Sequence, residues 1–375
     1  MLNVIVSTIG TSLLTKQINF NNAIEPSWNQ QLRDSANNRH EDLSESVSTI
    51  IETLKNRASG VLSQSGISAI RRASAELNGI YGHYENDLSR GKGDLHFLIA
   101  TDTAQGQTTA DVVAEFLLSQ HLIVECYTPP GLSMANTESF SEGIDDLIVW
   151  LQNTIKPLRD RYKIYFNLVG GFKSLQGYMN TIGMFYADEI LYIFEGEGSE
   201  LITIPRLPIQ IDSDRLAPYT VALALMDAGA GLSPQDVEGI PEAMLGECDG
   251  KKVLSTWGNL TWDEAKTTLL SQDLLPLPKL TYTSDFRRDY NTVKNPSQRA
   301  ELQQVLASIS YYLIESGGNP GVLPSSLNYT RYGGTKDIDH FRVNRSLRAS
   351  CRKVEDSLEL RYYGTHDHVE RSENL

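Results

Sequence analysis

An apolar run, KIYFNLV, passes through two adjacent glycines and a lysine into a helical pattern, SLQGYMNTIGMFY; the junction is Phe166–Ser174, FNLVGGFKS. Gly170 and Gly171 allow close backbone approach to a ligand, and the helix after them offers unpaired amide hydrogens and the positive end of its dipole. Lys173 adds a mobile full charge. A helix end contributes only about 0.3–1 kcal/mol when exposed and up to about 2 when partly buried, so the lysine and the shape of the turn must supply the rest. The chemistry implied is recognition of a phosphate-bearing small molecule. The spacing fits neither G-x-x-x-x-G-K-[ST] nor G-x-G-x-x-G, so a nucleotide-hydrolysing motor is not indicated.

A second cluster lies in Phe341–Lys353, FRVNRSLRASCRK, which holds Arg342, Arg345, Arg348, Arg352 and Lys353 with no acid among them. Strand alternation turns Phe341, Val343, Leu347, Ala349 and Cys351 to a core and Arg342, Arg348 and Arg352 to the opposite face. Continued along the next run, it puts Leu358, Leu360 and Tyr362 inward and Arg361 and Tyr363 outward. Gly364–His368, GTHDH, then sets His366 and His368 at the edge of that surface. RNA is cut without metal when a base activates a 2′-hydroxyl, an acid protonates the departing oxygen and cations stabilise the charge on phosphorus. A positioned acid or base contributes about 10²- to 10⁴-fold, and histidine is the natural proton carrier near neutral pH. The sequence implies no metal and no cofactor.

The elements that must position these residues differ between the two regions. Candidate strands at 2–7, 95–100, 122–127, 162–169 and 190–195 alternate with segments such as ADVVAEFLLS and DDLIVWLQNTI, which carry apolar residues at helical spacing. That alternation predicts an α/β domain with a Rossmann-like parallel sheet over 1–205. Polar loops follow three strand ends: Ser7–Ser12 with Thr11 and Ser12, Thr101–Gly106 with Asp102, Thr103 and Gln105, and the glycine-lysine turn. In an open parallel sheet such loops bound the ligand crevice. Residues from about 20 to 93 form an insertion whose role the pattern does not give. Helix-start signals at Ser233-Pro234 and Thr261 predict a helical connector over 206–275. The last part, 276–375, reads as a small α+β unit: KLTYT, a helix from Ser284, a long helix entered through Asn295-Pro296 and stopped by Gly317-Gly318, then HFRVN, LRASCRKV and LELRYYG.

The formal net charge is −14, unevenly spread. From Pro276 onward there are 14 Lys plus Arg against 12 Asp plus Glu, or +2, and before it 33−14=19 against 47−12=35, or −16. Two functions in two electrostatic environments are implied. Cys126, Cys248 and Cys351 are far apart and odd in number, against a disulfide framework or a zinc spacing. No run of 18 apolar residues and no basic leader occurs, so no membrane partner is expected and the cytoplasm is the default compartment.

The set VSTIGTSLL, RRASAELNGI, LIATDTAQGQ and FNLVGGFKS resembles the CARF domain of CRISPR-associated proteins, in particular the branch that includes ring nucleases, over roughly Met1 to Arg206. The resemblance implies a two-fold homodimer that binds a cyclic oligoadenylate across its interface. Thr11, Ser12, Gly170, Gly171 and Lys173 would then contact the ring phosphates, and Asp102, Thr103 and Gln105 adenine or ribose. It also admits slow cleavage of the ring in the same pocket. The tail, Lys279 to Glu373, resembles the RelE/ParE toxin superfamily, which implies that Arg342 and Arg348 hold the scissile phosphate and that His366, His368 or Tyr363 carries protons. Arg345, Arg352, Lys353 and Arg361 would hold RNA. Asn344 stands where many relatives carry lysine or arginine, and ParE-type members attack gyrase instead of RNA. Together the two resemblances imply an effector of type III CRISPR systems, activated by cyclic tetra-adenylate, that cleaves messenger RNA on ribosomes. Two alternatives stay open on the sequence alone: a non-catalytic, ligand-controlled regulator with a basic binding tail, and a stand-alone ring nuclease.

Overall fold

The computed structural model describes residues 2–194, 200–335 and 337–374, and the chain divides into two units, Met1–Ile209 and Gln210–Leu375. In the first unit the strands are Leu2–Thr8 (β1), Leu95–Ile99 (β2), Ile123–Tyr127 (β3), Tyr162–Asn167 (β4), Glu189–Ile193 (β5) and Leu201–Pro205 (β6). Glu195, the last residue expected in the fifth strand, lies outside the described residues. The sheet order is β3-β2-β1-β4-β5-β6, parallel throughout except that β6 runs antiparallel to β5. Val4, Ile5 and Val6 in β1 are all fully buried, as a strand covered on both faces requires. Because β1 lies between β2 and β4, the strand order reverses there, and the crevice of such a sheet opens at the carboxyl ends of those neighbours.

The insertion is helical. It holds Pro26–Asp34 (α2), Glu45–Gln64 (α3), Ile67–Ala73 (α4) and Ala75–His83 (α5), after a single turn at Ser12–Thr15 (α1). Ser44 caps α3 by accepting from the Val47 amide, and Val47, Ile50, Ile51, Leu54, Ala58 and Leu62 form its buried stripe. Part of that stripe packs with Leu14, Ile18, Leu32 and Ala104. Further α-helices of this unit are Ala104–Ser119 (α6), Thr137–Trp150 (α7), which continues into a π-helical turn at Leu151–Ile155, and Lys173–Tyr186 (α8).

The second unit begins with Ser213–Leu216 (α9), Thr220–Asp227 (α10), a hairpin of Leu245–Cys248 (β7) and Lys251–Leu254 (β8), and Thr256–Leu270 (α11). The sequence pattern predicts a separate helical connector here, but residues 210–275 share one core with the remainder of the unit. Leu223, Trp262, Ala265 and Leu269 pack in the same cluster as Phe286, Leu302, Leu306 and Phe341. Ser233-Pro234 opens a turn closed by the Asp236 carboxylate instead of a helix, and α11 starts five residues before Thr261, with Ser255 as its cap.

Then come Leu280–Tyr282 (β9), Ser284–Thr292 (α12), Pro296–Glu315 (α13), Thr330–Arg331 (β10), Asp339–Arg342 (β11), Leu347–Val354 (β12), Ser357–Thr365 (β13) and His366–Ser372 (α14). The sheet order is β10-β11-β12-β13-β9, antiparallel except for the parallel pair β13 and β9. Asn295 caps α13 ahead of Pro296, and Gly317 and Gly318 follow it in the positive-φ region that ends a helix. No helix of the described residues is long and apolar enough to cross a membrane.

Candidate functional site

In the first unit the loops after β1 and β4 meet. Thr8 Oγ1 donates to the Gly170 carbonyl at 2.6 Å, and an open cleft of about 1430 Å³ lies beside the junction. Small-molecule pockets usually measure about 300–1,000 Å³. Gly10, Thr11 and Ser12 line it from one loop and Gly170, Gly171 and Lys173 from the other, which brings the five residues singled out in sequence, all but Gly10, to one cleft. Lys173 is the exposed first residue of α8, whose N-cap, Phe172, brings no side-chain acceptor to the first-turn amides. Ser12 Oγ is buried and makes no hydrogen bond among the described residues.

The insertion supplies the facing wall. Its Arg71 and Arg72 line the cleft with Asn78 and Asn86, Lys16 joins them from just before the insertion, and among the described residues Glu200 is the acid on the lining. Arg71 is held by Asn78 Oδ1 at 2.8 Å and Asn86 Oδ1 at 2.6 Å, and Lys16 donates to the Arg72 carbonyl at 2.7 Å. Tyr192, Phe194, Ile67 and Leu201 give the same cleft an apolar side. The paired arginines of RRASAELN were visible in sequence; in the structure α4 ends just after them, Ser74 caps α5, and both arginines reach the cleft lining.

Glu76 explains Gly170. It is fully buried, its Oε1 accepts from the Gly10 amide at 2.7 Å and its Oε2 from Ser74 Oγ at 2.7 Å. A Cβ at Gly170 would stand 2.1 Å from Glu76 Oε1, and one at Gly10 2.9 Å from the Gly171 nitrogen. Gly170 therefore clears room for a carboxylate behind the loop, where the sequence suggested room for a ligand in front of it. Burial pushes the Glu76 carboxyl up, and the Gly10 amide opposes that shift.

The loop after β2 does not join this cleft. Asp102 pairs with Arg39 and accepts from the Gly131 amide, Thr103 caps α6 by accepting from the Gly106 amide, and Gln105 donates to the Leu32 carbonyl. The insertion covers that strand end, so the contacts expected of Asp102, Thr103 and Gln105 with a ligand in this cleft are replaced by structural ones.

In the second unit the register puts Arg342 opposite Arg348 and Arg348 opposite Gly364, so the two arginines share a face. His340 and Ser350 occupy the same face one pair along. Arg348 Nη1 lies 3.1 Å from His340 Nε2, and Tyr332 stacks on His340 with ring centroids 4.0 Å apart. His366, at the start of α14, stands 3.0 Å through Nδ1 from Glu370 Oε1, too poorly aligned for a hydrogen bond.

Tyr363 and Tyr362 exchange places relative to the alternation. Cys351 pairs with Leu360 but Ser350 pairs with Tyr362, leaving Arg361 as an extra residue. This β-bulge flips every side chain after it. Tyr363 is 3% exposed, near Phe286, with its hydroxyl beside Gln298, so it faces the core and not the arginines; Tyr362 takes the outer face. His368 Nε2 is 3.2 Å from Asp289 Oδ2, which also accepts from the Tyr363 amide, so it is held to α12 instead of to the arginine face.

Arg361 is occupied by Glu373, which also accepts from Ser350 Oγ, and Arg352 by Glu359. Arg345 and Lys353 are exposed. Sequence reasoning missed His340 and Tyr332. The signal for His340 was its place two residues before Arg342 in a strand.

Residues 71–207, which include Arg71, Arg72, Glu76 and the glycine-lysine turn, match the family model described as CRISPR-associated protein (Cas_APE2256). That match supports a CRISPR-associated protein.

Proposed function

We propose that the chain is a ligand-activated effector of CRISPR defence: the first unit binds a cyclic oligoadenylate, read as cyclic tetra-adenylate, and the second is a ribosome-dependent messenger RNA endoribonuclease. The observation that carries the reading is the cleft, where Thr11, Ser12, Lys16, Arg71, Arg72 and Lys173 gather around two glycine loops at the sheet's reversal point. Its size and its several cations suit a ligand with several phosphates, and its apolar side suits bases. A ring with its own symmetry suits an isologous site, so the active form is a homodimer. Ring cleavage in the same cleft is compatible with that chemistry, with Ser12 and Lys173 beside the phosphates.

Arg342, Arg348 and His366, with His340 beside them, support the nuclease half, for they combine phosphate-binding cations with proton carriers. Activation requires tighter ligand binding by the competent arrangement than by the resting one. A non-catalytic regulator would use the same cations for binding alone. The deciding experiment incubates the purified chain with translating ribosomes, with and without cyclic tetra-adenylate, and maps message ends. Cleavage only with the ligand is expected. Intact message in both arms, alongside calorimetric uptake of the ring, would leave a sensor or ring nuclease and remove the messenger RNA interferase.

A further inference from the structure

We infer that His340 is the proton-accepting catalytic residue of the arginine face, a role that rests on reading the second unit as an endoribonuclease. Arginine has donors only, so at 3.1 Å from Arg348 Nη1 the His340 Nε2 must present a lone pair, and the imidazole is neutral with its proton on Nδ1. Thr330 Oγ1, 3.3 Å away, is the other neighbour of Nε2. The ring is 8% exposed, backed by Tyr332, which is 7% exposed. Neither His340 Nδ1 nor Tyr332 Oη has a hydrogen-bond partner among the described residues, and the same is true of Arg342 Nε on the same face. Buried polar atoms are nearly always paired, so a concentration of unpaired ones beside two guanidiniums is costly for a surface with only a packing role. Burial, then Arg348 and His366, holds the imidazole below its usual range, while Glu370 and Asp339 oppose them.

The arrangement carries a balanced reaction. An RNA phosphodiester entering the face takes over the Arg348 donors and releases the His340 lone pair. Nε2 accepts the proton of the ribose 2′-hydroxyl, the 2′-oxygen bonds to phosphorus, and the bond from phosphorus to the 5′-oxygen breaks. His366 gives its Nε2 proton to that oxygen, while Glu370 stands at Nδ1. The products are a 2′,3′-cyclic phosphate and a 5′-hydroxyl, with one proton gained by His340 and one lost by His366.

The variant H340Q separates base from brace, because a glutamine oxygen still accepts from Arg348 but does not take a proton. Full-length wild-type protein, H340Q and H340A are assayed on translating ribosomes with cyclic tetra-adenylate, with thermal melting and ribosome co-sedimentation in parallel. The expectation is a loss on the order of 10²-fold or more in H340Q with melting and co-sedimentation unchanged, and partial recovery of H340A in added imidazole. Wild-type rates in H340Q, or inactive H340A that imidazole does not restore, overturn the assignment while the nuclease reading stands. A wild-type chain that leaves the message intact instead removes the nuclease reading, and this role with it.

Discussion

Gly170 and Glu76 occupy adjoining space so tightly that one extra carbon at the glycine would lie 2.1 Å from the carboxylate oxygen. Glu76 in turn holds the Gly10 amide, so both loops of the cleft are fixed from behind by one buried acid. Gly170→Ala should therefore displace both loops. The expected cost is about 1–3 kcal/mol of stability for overpacking, with loss of oligoadenylate binding at concentrations that saturate wild type. Thermal melting and calorimetry check the two effects.

Arg71 gives a milder test. Its two hydrogen bonds to Asn78 and Asn86 pre-set it on the lining of the cleft. A charge-assisted hydrogen bond is worth about 1.5–3 kcal/mol, so Arg71→Ala should weaken oligoadenylate binding by roughly tenfold or more without lowering the melting temperature by more than a few degrees. Unchanged affinity would remove Arg71 from the ligand site.

Asp289 accepts from both the Tyr363 amide and His368 while only 6% exposed. Asp289→Ala leaves the amide unpaired at a cost of about 1–3 kcal/mol, and Asp289→Asn, which keeps an acceptor, should cost less. Hydrogen exchange at the Tyr363 amide reports this directly: protection should fall in the alanine variant and largely persist in the asparagine one.

His96 sets a pH limit on the first unit. Its Nε2 lies 3.2 Å from the Tyr84 hydroxyl, which donates to Asp94, and burial pushes the imidazole down to about 4, with Asp94 opposing and His83 adding to the shift. The folded pKa is depressed, so as pH falls below about 6.5 the unfolded chain takes a proton that the folded one refuses, and stability declines until about pH 4, by about 3 kcal/mol in all. Urea titrations at about pH 7.5, 6 and 4.5, with hydrogen exchange in β1 and β2, should show the decline in wild type and a shallower one in His96→Gln.

The alternating elements were legible because each kept one period. The strands containing LHFLIA and LRASCRKV fall where apolar patterning puts them. The bulge at Ser350 and Cys351 was not legible, since one extra residue in a pairing leaves no local mark, and it moved Tyr363 from the arginine face to the core. Residues 210–275 misled for a related reason: helix-start residues also close turns, as Ser233 and Asp236 do, and amphipathic pattern does not name the core it joins.

The glycine-lysine turn and the residues Thr11 and Ser12 were readable as one site because the sheet brings the ends of β1 and β4 together. Asp102 and Gln105 followed the same rule and are used elsewhere, because the insertion, opaque in sequence, buries their strand end and lends Arg71 and Arg72 to the cleft.

The parallel pairing of β13 with β9 joins the newest strand of the second unit's larger sheet to its oldest. Since β12 also depends on β13, a nascent chain on the ribosome has no closed sheet until residue 365 has been polymerised, and Arg348 meets its neighbour Gly364 only then. Such long-range closure is slow compared with local folding. Under the proposed function, the arginine face that attacks messenger RNA is thereby incomplete until its last strand has left the ribosome.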